Sequence, residues 1–431
     1  MNKQPKVIQT TMETAQWFIF LLASSVAIPI VIGAIFEMNS TEVSGLMQRT
    51  FFVVGLTSFI QAFIGHRLPI VEGPAGIWIS IFAVMAVTGV QSGIPLEDTL
   101  RTLETTMIFT GFFLFLFGVL KLSQKILPIF TPLVTGTFFL LLTVQLSGTF
   151  LKIMLGLQGN TVTIQLPAAA IAFFTFFVVL GLSSFARGWL SSYAVFIGIM
   201  IGWIMHIIFI GNAEQVQPAK LFSVPEWFAF GIPAFDMSVI PMALITAIIL
   251  ISNLVASIVA MNQTLGVKDK NYSAQVNRGT AFSGIGHGFA GMFSAIANVP
   301  LAVSSGFIAL TGQHRKRPFL YAALLLTFIT FFPPLIQWIS SIPSPIANAA
   351  LMATFVQLVG LAINNLTLQP LDSRKVTIAG ISYLIGMGTM FLPAEVFAEL
   401  PSIVQNVMSN GLLLGTGLVI ILEQLWKEKE R

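Results

Sequence analysis

Long apolar runs separated by short polar gaps make up most of the chain. Most runs approach the roughly 20 residues that a helix needs to cross a hydrocarbon layer of ~30 Å. The pattern predicts fourteen membrane segments: 16–36, 48–65, 69–92, 103–120, 129–150, 163–184, 189–211, 238–263, 281–296, 299–313, 318–340, 345–364, 374–393 and 402–425. The first run is long enough to be a span rather than a cleavable signal. The chain is therefore predicted to be an all-α polytopic membrane protein.

The third and tenth segments do not have the pattern of a continuous helix. Residues 69–76 read Pro-Ile-Val-Glu-Gly-Pro-Ala-Gly, and residues 298–306 read Asn-Val-Pro-Leu-Ala-Val-Ser-Ser-Gly. Proline removes a backbone donor and interrupts a helix. Broken backbone is tolerated at membrane depth only where protein buries it or where it lines a polar cavity. We therefore expect two broken half-helices around an internal site.

The two interruptions lie seven segments apart, and a second sequence similarity has the same spacing. Val-Gln-Leu-Ser-Gly at 144–148 follows Pro132 in segment five, and Val-Gln-Leu-Val-Gly at 356–360 follows Pro345 in segment twelve. Two seven-segment halves that start on opposite sides of the membrane form an inverted repeat, in which paired interruptions indicate a transporter's binding site. The alternative is a chance recurrence, with prolines that only kink their helices.

The distribution of lysine and arginine predicts the orientation. Of the 21 Lys and Arg residues, all but Arg49, Arg101, Lys152 and Lys220 fall at the termini or in gaps on the same side as the termini. Cationic side chains are retained in the cytoplasm during membrane insertion. We therefore expect a multi-pass protein of the cell membrane with both termini cytoplasmic.

The composition excludes several other classes of protein. Only 9% of residues are charged and 55% are hydrophobic, whereas about 25% charged is usual for a soluble domain. No basic stripe is interleaved with exposed aromatics, so no nucleic-acid partner is expected. The chain has no cysteine, which removes disulfides and thiolate chemistry. It also lacks metal-ligand spacing, a phosphate-binding glycine loop and a nucleophile–base pair, so we expect neither an enzyme nor a cofactor, although a coupling ion, H+ or Na+, is possible.

Glu72 is the one acid that lies well inside an apolar run. An ionisable residue within the membrane is a functional candidate because burying its charge is costly. We therefore take Glu72 as the candidate for ion coupling. The alternative is a structural or gating role near the end of the segment, in a pair with His66 or Arg67.

Amide and hydroxyl side chains in segments one, eight and ten are candidate substrate ligands, since an amide presents a donor and an acceptor that match the edge of a purine or pyrimidine. Trp78 could stack on a heteroaromatic ring. The alternative is hydrogen bonding between helices, at about 0.6 kcal/mol each. His287, between glycines, is interpreted mainly as close helix packing. The candidates with Trp78 are Gln16, Asn253, Asn298, Ser304 and Ser305.

Over nearly its whole length the chain resembles the nucleobase–ascorbate transporters, also called xanthine/uracil permeases. Besides the two interrupted stretches, the resemblance rests on Gly-His-Arg-Leu-Pro-Ile at 65–70, Gly-Phe-Ile-Ala-Leu-Thr at 306–311 and the stretch 400–411. It implies a core domain of segments 1–4 (16–120) and 8–11 (238–340). It also implies a gate domain of segments 5–7 (129–211) and 12–14 (345–425). Substrate would bind between the half-helices, with uptake coupled to protons or sodium and a homodimer as partner state.

Several positions depart from the family's pattern. Trp17 follows Gln16 where the family has histidine, and Asn253 matches a position that is usually glutamate. Val303 replaces the acid or amide of segment ten, and Pro74 to Gly76 replace a usual Ser-Phe. The two carboxylates that would bind substrate and carry a proton are therefore missing, which leaves Glu72 as the first proton carrier to test.

The expected function is secondary-active transport of a purine or pyrimidine base by alternating access, with the amide of Asn253 as the main anchor. Two alternatives remain. The N-termini of the half-helices carry positive partial charge, and without the acids such a site could take a carboxylate, urate or an inorganic anion. The protein could also be a receptor or scaffold that no longer transports.

Overall fold

The computed structural model describes residues 6–74, 76–91, 93–126, 131–157, 163–211, 220–235, 237–267, 272–397, 400, 404, 408 and 410–426. In this part of the chain the regular secondary structure is helical apart from one pair of three-residue strands, β1 (Glu72–Pro74) and β2 (Asn298–Pro300). The helices are α1 (Lys6–Ser25), α2 (Ala27–Ile35), α3 (Ser40–Phe63), α4 (Gly76–Gln91), α5 (Leu96–Val119), α6 (Ser123–Ile126), α7 (Pro132–Met154), α8 (Leu166–Phe185), α9 (Trp189–Ser192), α10 (Ala194–Phe209), α11 (Ile240–Thr264), α12 (Ser273–Met292), α13 (Val303–Thr311), α14 (Lys316–Ile329), α15 (Pro333–Ser340), α16 (Ser344–Thr367), α17 (Ser373–Thr389) and α18 (Gly411–Leu425).

Seven spans among the described residues are long and apolar enough to cross a membrane: 7–35, 40–63, 96–119, 132–154, 166–185, 240–264 and 344–367. An eighth results if α14 and α15 count as one span despite a bend of 94° between them. The protein is thus a multi-pass membrane protein. The count of fourteen crossings stays a prediction, because α4, α10 and α18 are apolar but shorter.

Several helices differ from their predicted bounds for local reasons. Helix α3 begins at Ser40 rather than at 48, because Asn39 and Glu42 form a capping box at its start. Segment one begins at Lys6 and is interrupted at Val26. Segment eleven, predicted as continuous, ends at Ile329 and resumes at Pro333. Most of the stretch 400–411 that supported the family resemblance lies outside the described residues.

Glycines allow close packing in a first helix group, formed by α1, α3, α5, α11, α12 and α14. A Cβ at Gly118 of α5 would lie 2.3 Å from the Ala281 nitrogen of α12, and one at Gly284 of α12 would lie 2.4 Å from the Phe115 nitrogen of α5. On α3, a Cβ at Gly55 would lie 2.7 Å from the carbonyl oxygen of Ala323. The backbones therefore approach more closely than side chains would permit, as in other membrane helix pairs.

A second helix group contains α7, α8, α10, α16, α17 and α18. Its central pair is α7 with α16, where a Cβ at Gly136 would lie 2.9 Å from the carbonyl oxygen of Ala362. Helices α17 and α18 meet at Gly386 and Gly411, with 2.2 Å between the carbonyl oxygen of the first and a Cβ on the second. The start of α4 contacts this second group, whereas the strand pair packs against α1, α3, α11 and α12 of the first group.

Candidate functional site

The two interrupted stretches of sequence lie side by side. Strands β1 and β2 are antiparallel and every residue in them is buried. The partners are Glu72 with Pro300, Gly73 with Val299, and Pro74 with Asn298. Each strand leads into a short helix, α4 from Gly76 and α13 from Val303. The N-termini of two helices are thereby held close to one buried strand pair, although the sequence predicted no strands there.

Hydrogen bonds to the backbone fix the strand pair. The Val71 N–H donates to Ser304 Oγ (3.0 Å), and the Leu301 N–H donates to the Val71 carbonyl (2.9 Å). Gly73 lies close to the next strand's exit, since a Cβ there would lie 2.7 Å from the end of the Leu301 side chain. Proline ends both strands, where its missing N–H leaves no strand donor unpaired. The first turn of α13 is therefore held against the chain that enters β1.

Glu72 is buried and pairs with His66, as the structural alternative predicted. Its Oε1 lies 3.3 Å from His66 Nε2, and both side chains are at most 2% exposed. The Leu68 N–H donates to His66 Nδ1 (3.1 Å), so Nε2 carries the hydrogen of the neutral ring and can donate to Glu72. The Glu72 N–H donates to Ser58 Oγ (2.9 Å) on α3. Arg67 is exposed and takes no part.

Asn298 is the first residue of β2, and Asn253 of α11 contacts the last residue of the same strand. The side-chain amide of Asn298 is buried and lies 3.0 Å from Thr57 Oγ1 of α3. Asn253 Nδ2 donates to the carbonyl of Pro300 (3.4 Å), an oxygen that also accepts from Ser257 Oγ at 2.9 Å. Asn298 thus supports the strand from within the protein, while Asn253 is only partly buried.

Trp78 is fully buried between α4 and α12. Its Nε1 donates to His287 Nε2 (3.2 Å), and the rings are 5.6 Å apart. His287 Nδ1 lies 2.8 Å from the carbonyl oxygen of Ser283, so the neutral ring donates there and accepts from Trp78. Trp78 therefore fixes the first turn of the short helix α4 against α12.

One face of α13 is open beside the strand pair. Val303 is 58% exposed, and Ala302, Gly306 and Ala309 on the same face are also exposed. A Cβ at Gly306 would meet no atom within 4 Å. Ser305 is half-buried beside this face and donates to the carbonyl of Ala302 (2.7 Å). The first two turns of α13 thus present small side chains to open space.

The second helix group lies against α4 at the same level. A Cβ on Gly76, the first residue of α4, would lie 3.0 Å from the Phe355 ring of α16 and 3.8 Å from Leu142 of α7. The first turn of α4, which follows β1, therefore lies against the second helix group, while the strand pair itself packs on helices of the first group.

Gln16 has its partners elsewhere. Its side chain accepts from Gln313 Nε2 at the C-terminal end of α13, and its carbonyl oxygen accepts from Tyr193 Oη at 3.3 Å. The structure therefore brings Asn253, Asn298, Ser304, Ser305, Glu72 and Trp78 to the strand pair or to the starts of the helices that follow it. The contacts of the Gln16 side chain are at the far end of α13.

The structure contains a second buried carboxylate besides Glu72, whereas the sequence pattern indicated Glu72 alone. Glu104 is fully buried in α5 and accepts from Ser294 Oγ. The prediction failed because segment four was begun at 103, whereas α5 begins at Leu96. The sequence signal was Pro95 followed by Glu97 and Asp98, which are typical of a helix start. No group of three metal-ligating side chains was found among the described residues.

Comparison with known proteins identifies the family. A model described as "Permease family" (Xan_ur_permease) matches residues 8–395. The chain belongs to this family. The resemblance to nucleobase–ascorbate transporters is thereby confirmed, and so is the prediction that the protein is not an enzyme, because the relatives are named as permeases and transporters.

Bacterial relatives cover nearly the whole chain. A protein of Bacillus subtilis named "Putative purine permease YwdJ" is 31% identical, with 96% of each chain covered. Uric acid permease PucK of the same organism is 23% identical over 100% of this chain and 98% of its own. The xanthine permease of B. subtilis is 22% identical over 94% of this chain and 91% of its own.

Solved structures show the same fold. The transmembrane domain of the cyanobacterial bicarbonate transporter BicA has a TM-score of 0.66, at 13% identity, and covers 97% of this chain and 98% of its own. The murine anion transporter Slc26a9 in its inward-facing state has a TM-score of 0.66 at 11% identity, with 99% of this chain and 69% of its own covered. At these identities the likeness concerns the fold alone.

Proposed function

We propose that the protein is a secondary-active permease of a purine or pyrimidine base in the cell membrane. The observation that carries the substrate class is membership of the permease family over residues 8–395, with relatives named for purine, uric acid and xanthine. The strand pair supports the mechanism, because it combines buried polar groups with two helix N-termini and an open helix face, and because the start of α4 beside it contacts the second helix group.

The proposed architecture has fourteen crossings in two inverted seven-segment repeats. The register of the strand pair supports it. Gly73 faces Val299 at the centre, and Glu72 and Asn298 each lie one residue before that centre in their own strand. In the proposed inverted repeat, a two-fold axis through this central pair would relate the two strands, and their antiparallel pairing is compatible with that symmetry.

The two helix groups support the proposed division into core and gate domains. The first group falls within residues 16–120 and 238–340, the proposed core, apart from the N-terminal turns of α1. The second falls within 129–211 and 345–425, the proposed gate, apart from Ser344 at the start of α16. Alternating access would result from movement of core against gate, by an elevator-like or rocking path. The dense contacts within each group and the few between them favour such a rigid-body motion.

The proposed substrate contacts divide by accessibility. Asn253 and Ser305 are partly accessible and would hydrogen-bond the base, with the amide of Asn253 as the main anchor. Asn298, Ser304 and Trp78 are buried and would support the strands and helix starts around the base. Gln16 would act from the other end of α13. The small residues on the open face of α13 leave room for a planar ring.

Glu72 is the proposed carrier of a coupling proton. It is buried, its partner is the imidazole of His66, and no other charged side chain among the described residues lies within ion-pair distance. A proton on Glu72 removes an otherwise costly buried charge. Loading and release of this proton could therefore favour different positions of β1.

The proposed orientation has both termini in the cytoplasm, and the proposed assembly is a homodimer.

Uptake into proteoliposomes tests this function. We expect radiolabelled purine or pyrimidine bases to accumulate under an imposed proton or sodium gradient, with competition by unlabelled bases. Inhibition only by small anions without a ring would instead support an anion carrier with the same fold. Thermal stabilisation by a base without accumulation in vesicles would support a receptor, since a ligand of the folded state raises apparent stability without any transport.

A further inference from the structure

The segment between α10 and α11, residues 220–235, is not helical and exposes large apolar side chains. We call this segment the strap. Ile232 is 86% exposed, Leu221 76% and Phe235 69%. The only charged residues in the strap are Lys220 and Glu226. An exposed apolar surface of this density indicates contact with a protein or a membrane rather than with water.

The strap runs alongside α5 and contacts it at three successive helical turns. Arg101 Nε donates to the carbonyl of Phe230 (3.0 Å), and Thr105 Oγ1 donates to the carbonyl of Ala234 (2.6 Å). The ring of Phe235 lies 5.4 Å from that of Phe109. The three α5 residues are spaced by four, so the strap follows the helix over about 12 Å at ~1.5 Å per residue. Because α5 is long enough to cross the bilayer, this descent takes the strap to membrane depth.

The backbone of the strap has hydrogen-bond partners along this path. The Phe228 N–H donates to the Met292 carbonyl (2.8 Å), the Phe230 N–H to Ser294 Oγ (3.3 Å), and the Ala234 N–H to the Arg101 carbonyl (3.4 Å). Non-helical backbone at membrane depth is costly unless the protein supplies such partners. These backbone groups of the strap therefore have protein partners and do not need water.

A buried polar network connects the strap to the first helix group. Arg49 of α3 lies over the ring of Phe230 (5.2 Å) and donates through Nε to the carbonyl of Ser294 (3.2 Å). Ser294 Oγ donates to Glu104 of α5. Ser294 lies four residues before Asn298, the first residue of β2. The strap thus follows the second group in sequence, through α10, but is fixed to the first group in space.

We propose that the strap is a lipid-facing surface of the first helix group, lies in the leaflet on the side where α3 and α5 begin, and contacts phospholipid acyl chains. Acyl chains are the occupant that fits, because the strap continues the exposed apolar stripe of α5, where Phe112 is 56% and Phe115 44% exposed. The strap moves with the first helix group when the groups shift.

The absence of cysteine permits a direct test by electron paramagnetic resonance. Phe228→Cys, Ile232→Cys and Phe235→Cys are spin-labelled one at a time in the full chain, reconstituted into phosphatidylcholine vesicles, with Arg187→Cys as a polar-loop control. Collision rates are measured with oxygen, which concentrates in lipid, and with a nickel chelate, which stays in water. We expect the oxygen-to-nickel ratio to rise from 228 to 235 and to exceed that of the control at every strap position.

Two outcomes overturn the proposal. A nickel-dominated signal at 232 and 235 means that the strap lies in water, and low rates with both reagents mean that a second copy of the chain covers it. Arg101→Met tests the anchoring separately, since it removes the donor to Phe230. We expect greater motional freedom of the label at 232 in this variant, and an unchanged spectrum contradicts the anchoring to α5.

Discussion

Glu72, the first residue of β1, forms a buried pair with His66, and the neutral tautomer of His66 is set by the Leu68 N–H. If Glu72 carries the coupling proton, Glu72→Gln imitates its protonated state permanently. We expect this variant to bind and exchange substrate but to lose accumulation driven by a pH gradient. The same change at the exposed Glu37 is the matched control and should leave driven uptake intact. Wild-type pH-driven uptake by Glu72→Gln contradicts the assignment.

Ser304 and Ser305 are neighbours with different surroundings. Ser304→Ala removes the acceptor of the buried Val71 N–H, and we expect about 1–3 kcal/mol of lost stability, seen as a lower Tm. Among the described residues, the recorded partner of the Ser305 hydroxyl is the carbonyl of Ala302, the N-cap residue of the same helix. We therefore expect Ser305→Ala to keep the wild-type Tm and to weaken base binding roughly fivefold, or ~1 kcal/mol. The opposite assignment of effects, measured by thermal unfolding and ligand titration, contradicts the proposed roles.

The residues that the sequence identified at this scale were those inside long apolar runs or next to prolines. Glu72, Asn298 and Ser304 stood out in this way, and the structure brings all three to the strand pair. Arg49 and Glu104 did not, because each lies near the polar start of its helix in sequence. They are buried because α3 and α5 extend beyond the apolar runs and residues 220–235 cover them. Burial by a distant segment has no local signal.

At the scale of elements, the close approach of α5 and α12 depends on glycine. Gly284→Ala would bring a Cβ to 2.4 Å from the Phe115 nitrogen, whereas a Cβ at Gly288 of the same helix meets no atom within 4 Å. We expect Gly284→Ala to lower the Tm by the equivalent of about 1–3 kcal/mol. Gly288→Ala should be neutral or slightly stabilising, since alanine favours helix. Equal melting temperatures for the two variants would show that the helices do not pack this way.

Element boundaries could be predicted where proline or a capping residue marks them. Pro74 and Pro300 predicted the two interruptions, but the antiparallel pairing of β1 with β2 depends on contacts between distant parts of the chain. The bend between α14 and α15 does have a signal in the sequence, because Pro333 and Pro334 follow Phe332 within predicted segment eleven. A proline pair ends the preceding helix. The high hydropathy on both sides of the pair nevertheless favours a single continuous segment.

At the scale of the whole molecule, the orientation and the number of crossings can be tested by labelling from one side. Exposed Arg187 and Lys220 flank segment seven, whose helix α10 has only 16 residues. Fourteen crossings require these two residues to lie on opposite sides of the membrane. We expect a membrane-impermeant maleimide to label Lys220→Cys in intact cells and Arg187→Cys only after lysis. Labelling of both from one side contradicts the topology.

The central claim is that a nucleobase binds on the open face of α13, beside the paired strands. Its most direct test is protection of Val303→Cys from maleimide in the otherwise cysteine-free protein, with exposed Phe391→Cys as the control. Purine and pyrimidine bases are added one at a time over a range of concentrations. The account predicts that at least one base slows labelling at 303 in a saturable manner and leaves 391 unaffected. Unchanged labelling at 303 by a base that the same protein transports would contradict it.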